Sequence, residues 1–347
     1  MTGTGWQPRL RASPELFPLA LDPATDGVQI VALGRVDYEK ASFLDARLDA
    51  PTVLGLPYPE LEAAAAGLPV ACDYIFHVGH VGSTLLSRLL GTQPRVFSVR
   101  EPQVLRAFAE AELTGGPWDA ETFDRRLATF LALFSRTWTP QQRTLLKATS
   151  LVGELAERLL QAQPGSRAIL MTVAPASYLA TILGGPNSRV ELRLAAPARL
   201  ARLHRRLGAP RWELSSLSEG EVAAMSWAAE MTALVAAADR RPQGALWLDF
   251  DRFLAEPRAG LAAALRVLHG GGDPADVERL AASAYFQRYS KAPEYGYGAD
   301  VRRQVLDDAR REHAAEIRRG LAWLEAAAAH PLLARALACA EAIDYVA

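Results

Sequence analysis

The octapeptide His77-Val78-Gly79-His80-Val81-Gly82-Ser83-Thr84 stands between an apolar run, Tyr74-Ile75-Phe76, and a leucine-rich stretch ending at Leu90. That order predicts a strand, a glycine-bearing turn and a helix. Such a turn offers an anion the unpaired N–H groups and the positive dipole end of the helix. Gly79 and Gly82 let the backbone come close to a ligand, with His80 and Val81 between them. Ser83 and Thr84 add hydroxyl donors, and His80 adds a ring N–H that binds an anion more strongly when protonated. A triphosphate loop needs G-x-x-x-x-G-K-[ST]. Here Ser83 follows Gly82 and His77 stands five places before it, so that pattern fails at both ends. The same letters also fit a strand, turn and helix that hold nothing.

Two more residues have types suited to chemistry. Glu101 precedes Pro102 just past a predicted strand, the place where α/β proteins collect active-site groups. A general base there needs reach and partial burial; the plain alternative is an exposed loop carboxylate. Lys147 sits in the apolar run Leu145-Leu146-Lys147-Ala148. Because an unpaired buried charge is expensive, it must find a partner or solvent. It could neutralise a leaving oxyanion, or pair with a carboxylate for structure alone. His77 is expected to point into packing or a hydrogen bond. His204, His269, His313 and His330 show no metal spacing. Trp118, Trp138 and Trp212 fall near predicted loops, where packing is the first expectation and an acceptor pocket the second.

Elements that would position these residues alternate along the chain. Short apolar runs at 71–79, 95–100, 144–150, 167–173 and 244–250 read as strands. Ser150 is placed to cap a helix with Leu151, Leu155, Leu159 and Leu160 on one face. Ser218 and Glu221 form a capping box for another. Residues 259–270 read as the helix after the fifth strand, and a single long helix is predicted from Asp300 to Leu324. Strands alternating with helices predict a parallel sheet covered on both faces. Within residues 1–70, 28–36 and 41–48 read as short strands and 61–69 as a short helix. This part is expected to be an extension packed on a main domain spanning 71–347.

The bulk numbers set limits. With 347 residues, half of them hydrophobic (50%) and 22% charged, the chain can bury a large α/β core. A net charge of −1 gives no global field toward nucleic acid or an anionic membrane. Cys72 and Cys339 are far apart and form no metal spacing, which suits a reducing compartment. No signal-type apolar core and no membrane-length apolar run is seen. A cytoplasmic protein is expected, and the oligomeric state is left open.

Several stretches resemble one family. Residues 76–90 resemble the 5′-phosphosulfate loop of sulfotransferases that use 3′-phosphoadenosine-5′-phosphosulfate (PAPS): Gly82, Ser83 and Thr84 match, and His80 stands where Lys or Arg is usual. The segment FSVREPQVLRAF (97–108) resembles the one that supplies a catalytic Glu in bacterial and tyrosylprotein-type members, which puts Glu101 in that role. LLKATS (145–150) is similar to the segment with an active-site Lys, here Lys147. LWLDFDRFLAEP (246–257) resembles a late strand and helix of the same fold. The match runs in order across about residues 72–270.

The resemblance implies a P-loop NTPase-like three-layer α/β fold with a central parallel sheet, helical additions and a small N-terminal extension. It implies transfer of a sulfuryl group from PAPS to a hydroxyl or amine of a small-molecule or peptide acceptor, without a metal. Gly79, His80, Val81, Gly82, Ser83 and Thr84 would hold the donor, Glu101 would deprotonate the acceptor, and Lys147, with His80, would stabilise charge on the leaving group. At the 3′-phosphate site the family has Arg and Ser, where Val173 and Thr181 stand. Thr181 keeps a hydroxyl, but losing a charge-assisted bond to phosphate costs on the order of 1.5–3 kcal/mol. Arg189, Lys291, Arg302 and Arg303 are the candidate replacements, Lys291 within a Tyr-, Pro- and Gly-rich loop (289–298) that could fold over the nucleotide. Two other readings remain open: a P-loop protein for another nucleotide or phosphorylated ligand, and a binding module that keeps the fold without activity.

Overall fold

In the computed structural model, residues 5–240, 243–288, 296 and 298–343 are described. The three strands β1 (Leu16–Asp22), β2 (Gly27–Ala32) and β3 (Thr52–Pro57) form an antiparallel sheet in that order. The other five build the sheet that matters for the site: β4 (Cys72–His77), β5 (Val96–Arg100), β6 (Arg143–Lys147), β7 (Ala168–Thr172) and β8 (Ala245–Asp249). All five predicted strands are present. β4, β5 and β7 are buried at every position, the signature of a sheet covered on both faces.

The strand order is β5-β6-β4-β7-β8. β4 and β5 each pair parallel with β6. Tyr74 N bonds to Arg167 O and Val78 N to Met171 O, so β4 and the segment around β7 advance together as well. From β4 the chain goes to one side for β5 and β6, then to the other for β7 and β8. The order therefore reverses at β4, and ligand crevices of open α/β sheets lie at the carboxyl end of such a reversal.

The chain divides into two compact units, Met1–Ile75 with Thr84–Ala168, and Phe76–Ser83 with Ile169–Ala347. The first has an aromatic core in which Phe108 and Phe130, then Phe130 and Phe134, lie within ring contact. In the second, the helix Glu219–Asp239 is buried almost all round, with Trp227 donating to Val173 O at 3.1 Å. Ser218 and Glu221 form the predicted capping box. The second unit also buries Arg199 and Arg202 against Glu230.

Three expectations are corrected. Residues 41–48 form no strand: their polar groups are taken up by Arg88, Arg100 and Asp45 rather than by a ladder. Ser150 is not an N-cap; it opens a 3₁₀ turn, Ser150–Leu155, which precedes the helix Ala156–Gln161. The helix predicted across 300–324 is broken at His313 into Ala299–Glu312 and Ala314–Ala327. No proline or glycine marks that break. The second helix lies in close backbone contact with the helix Glu219–Asp239, where a Cβ on Gly220 would lie 2.0 Å from Glu316 O and one on Gly320 would lie 2.5 Å from Gly220 O.

Candidate functional site

The loop after β4 is built from left-handed backbone. Gly79, His80 and Gly82 have φ of 93°, 55° and 63°. Runs of this kind make concave nests of N–H groups that suit anions. For glycine the conformation is free, whereas for His80 it costs about 1–2 kcal/mol. His77, as expected, is used in a hydrogen bond: its Nδ1 accepts from Gly79 N at 3.0 Å and shapes the turn. At Gly82 nothing larger fits, since a Cβ would lie 2.0 Å from Cε2 of Phe250. Phe250 begins the helix Phe250–Ala255, and the guanidinium of Arg302 lies 4.6 Å from its ring centroid while bonding Asp251 at 2.5 Å. Burial, with Asp251 nearby, holds the Asp249 carboxyl above its usual range.

His80 is tied into its own unit. Its Nδ1 lies 3.5 Å from Ser188 Oγ and its Nε2 lies 3.4 Å from Glu191. Glu191 also reaches Arg199 at 3.8 Å, and Arg199 bonds the buried Glu230 at 3.0 Å. Burial pushes the neighbouring Tyr178 phenol up to about 12.

Ser83 and Thr84 begin the helix Ser83–Gly91 and are 5% and 2% exposed. Among the described residues, Thr84 Oγ1 finds no hydrogen-bond partner although it is buried. A buried hydroxyl left unsatisfied is costly, so a phosphate or sulfate oxygen at the helix start would supply what it lacks. On these grounds the loop fits an anionic group.

Glu101 and Lys147 meet. β5 and β6 pair with Arg100 opposite Lys147, so the next residue of β5 arrives beside the end of β6. Glu101 takes φ of 50°, its N–H donates to Lys147 O at 2.7 Å, and its carboxylate accepts from Lys147 Nζ. The Lys147 side chain is fully buried, and that of Glu101 is 10% exposed. The carboxylate partner that a buried lysine demands is thus the other candidate residue. Of the non-glycine residues with positive φ among those described (Asp26, His80 and Glu101), two are candidates for chemistry. Strained backbone of this kind concentrates at functional sites.

At the expected 3′-phosphate position, Val173 is buried and offers no cation. Thr181 spends its hydroxyl proton on Ser177 O at 2.7 Å. Arg189 is engaged with Glu219 at 2.6 Å, Arg302 with Asp251, and Arg303 with Asp300; Lys291 lies outside the described residues. Sequence reasoning missed Arg310, which donates to Ser177 Oγ at 3.1 Å in the first turn of the helix Pro175–Gly184 while also bonding Asp307 at 3.0 Å. It also missed Phe250 and Glu191; no local pattern marks any of the three. Trp118 packs on Phe108, Trp138 on Tyr38 and Phe97, and Trp212 on Trp323. Among the described residues, no His, Cys, Asp and Glu group could hold a metal ion, and no helix is long and apolar enough to cross a membrane.

No family model and no curated protein matches the chain. Among solved structures it is similar to the sulfotransferase domain from the curacin biosynthetic pathway, at TM-score 0.40 and 14% identity over 70% of this chain and 90% of that one. It is also similar to sulfotransferase STF9 from Mycobacterium avium, at TM-score 0.41 and 12% identity over 74% and 80%. The sulfotransferase domain from the Synechococcus PCC 7002 olefin synthase gives TM-score 0.39 and 13% identity over 72% and 96%. At these scores and identities the likenesses stand as similarities only, and the chemistry rests on the loop and the buried pair.

Proposed function

We propose that the chain is a sulfotransferase-like enzyme that moves a sulfuryl group from PAPS to a hydroxyl or amine acceptor. The observation that carries this reading is Glu101, held in a strained backbone conformation against the buried Lys147 at the end of β6. A lysine-less anion loop after β4 supports it. In an in-line transfer the acceptor oxygen forms a bond to sulfur as the bond from sulfur to the phosphate oxygen breaks. Glu101 takes the acceptor proton, and Lys147 turns from Glu101 to the oxygen that leaves with the nucleotide. His80 and the hydroxyls of Ser83 and Thr84 hold the phosphosulfate, and Glu191 orients His80. Arg310, on Ser177 with one guanidinium nitrogen and on Asp307 with the other, is the cation offered to a 3′-phosphate, in place of Val173.

The test is incubation of the purified chain with sulfur-labelled PAPS and a panel of alcohols, phenols and amines. Expected is labelled ester or sulfamate, formed in equal amount to the desulfated nucleotide adenosine 3′,5′-bisphosphate (PAP). Hydrolysis of ATP with no consumption of PAPS would instead favour the second reading, a P-loop protein for another nucleotide, to which the cation-free Val173 position points.

A further inference from the structure

Arg88 and Arg100 are buried, and both hold the N-terminal segment through its backbone carbonyls. Arg88, on the helix Ser83–Gly91, donates to Glu39 O at 2.8 Å, Lys40 O at 2.9 Å and Ser42 Oγ at 3.0 Å. Arg100, the residue before Glu101, donates to Ala41 O at 2.7 Å, Glu39 O at 3.2 Å and Tyr38 O. These carbonyls end the short helix Arg35–Lys40, where no further turn exists to satisfy them.

The same segment brackets Glu101 on both sides. Leu44 N donates to Arg100 O at 2.8 Å, and Gln103 N donates to Leu44 O at 3.0 Å. Gln103 Oε1 then accepts from Ala46 N at 2.9 Å. With Glu101 N on Lys147 O, the residues before, at and after the strained position are each fixed by a hydrogen bond. An unfavourable φ persists only where its surroundings over-determine it.

We propose that residues 38–46 are a clamp that holds Glu101 in its left-handed conformation and its carboxylate on Lys147, with Arg100 and Leu44 as positioning residues. This rests on the role of Glu101 proposed above. The N-terminal region is then part of the machinery that places the base.

The test uses the full chain with Arg100→Met, Arg100→Lys and the milder Gln103→Leu, which removes a half-exposed side chain and should fold whatever the first variant does. Hydrogen exchange of the segment containing Glu101 is measured beside PAP affinity and PAPS turnover. Expected is exchange at Glu101 faster by about tenfold or more in Arg100→Met and Gln103→Leu, lower turnover at unchanged PAP affinity, and partial recovery in Arg100→Lys. Unchanged protection at Glu101 in Gln103→Leu and in any folded Arg100 variant overturns the clamp. A wild-type chain that neither binds PAP nor turns over PAPS sinks the functional reading, while the exchange result still decides the clamp.

Discussion

Replacing Gly82 with alanine is expected to destabilise the chain by about 2–4 kcal/mol, from overpacking and an unfavourable φ together, and to abolish anion binding at the loop. The new methyl would sit 2.0 Å from Phe250 Cε2 and 2.4 Å from Cζ, at a φ of 63°. Phe250 cannot simply swing away, because the Arg302 guanidinium lies against its ring and is anchored on Asp251. The loop must therefore move, and the nest formed by Gly79, His80 and Gly82 opens. Phe250→Leu in the same chain gives the methyl room, so the two substitutions should couple by about 0.5–3 kcal/mol in the favourable direction. Urea denaturation of the four combinations checks this. Additive effects would show that the ring does not press on the loop.

The second large effect concerns the buried pair. Glu101→Ala takes the carboxylate away from the Lys147 ammonium where its side chain has no exposed surface. Removing one partner of such a pair costs about 3–5 kcal/mol. Lys147→Met with Glu101→Met removes both charges together and should recover most of that loss, because replacing a buried pair with well-packed apolar groups of similar volume is often close to neutral. Function is expected to part from stability here. Glu101→Gln keeps a hydrogen-bond acceptor for Lys147 but no longer takes a proton, so turnover falls by about 10²–10⁴-fold while PAP affinity changes little. Equal loss of binding and turnover would remove Glu101 from the role of base.

How much of this was readable from the letters depends on the reach of each interaction. The five strands of the main sheet were legible because each is a short apolar run between breakers, and the Ser218–Glu221 capping box because it spans four residues. The turn at 77–84 was legible for the same reason. Glu101 and Lys147 were each visible as unusual, but their pairing follows only from β5 lying beside β6, which no local pattern states. Residues 41–48 have strand-like composition but answer to two arginines 46 or more positions away, such as Ser42 to Arg88. The break at His313 lies among good helix formers, and the helix after it meets the helix Glu219–Asp239 backbone to backbone at Gly220 and Gly320, a contact no local pattern states. Phe250 and Arg310 likewise act through contacts with residues more than a hundred positions away, Gly82 and Ser177.

The most direct measurement is a calorimetric titration of the purified full chain with PAP, with ATP and Gly82→Ala as controls. The account predicts one PAP site per chain with micromolar affinity, little response to ATP, and loss of the signal in Gly82→Ala. A folded chain that ignores PAP, or that binds ATP more tightly, would contradict it.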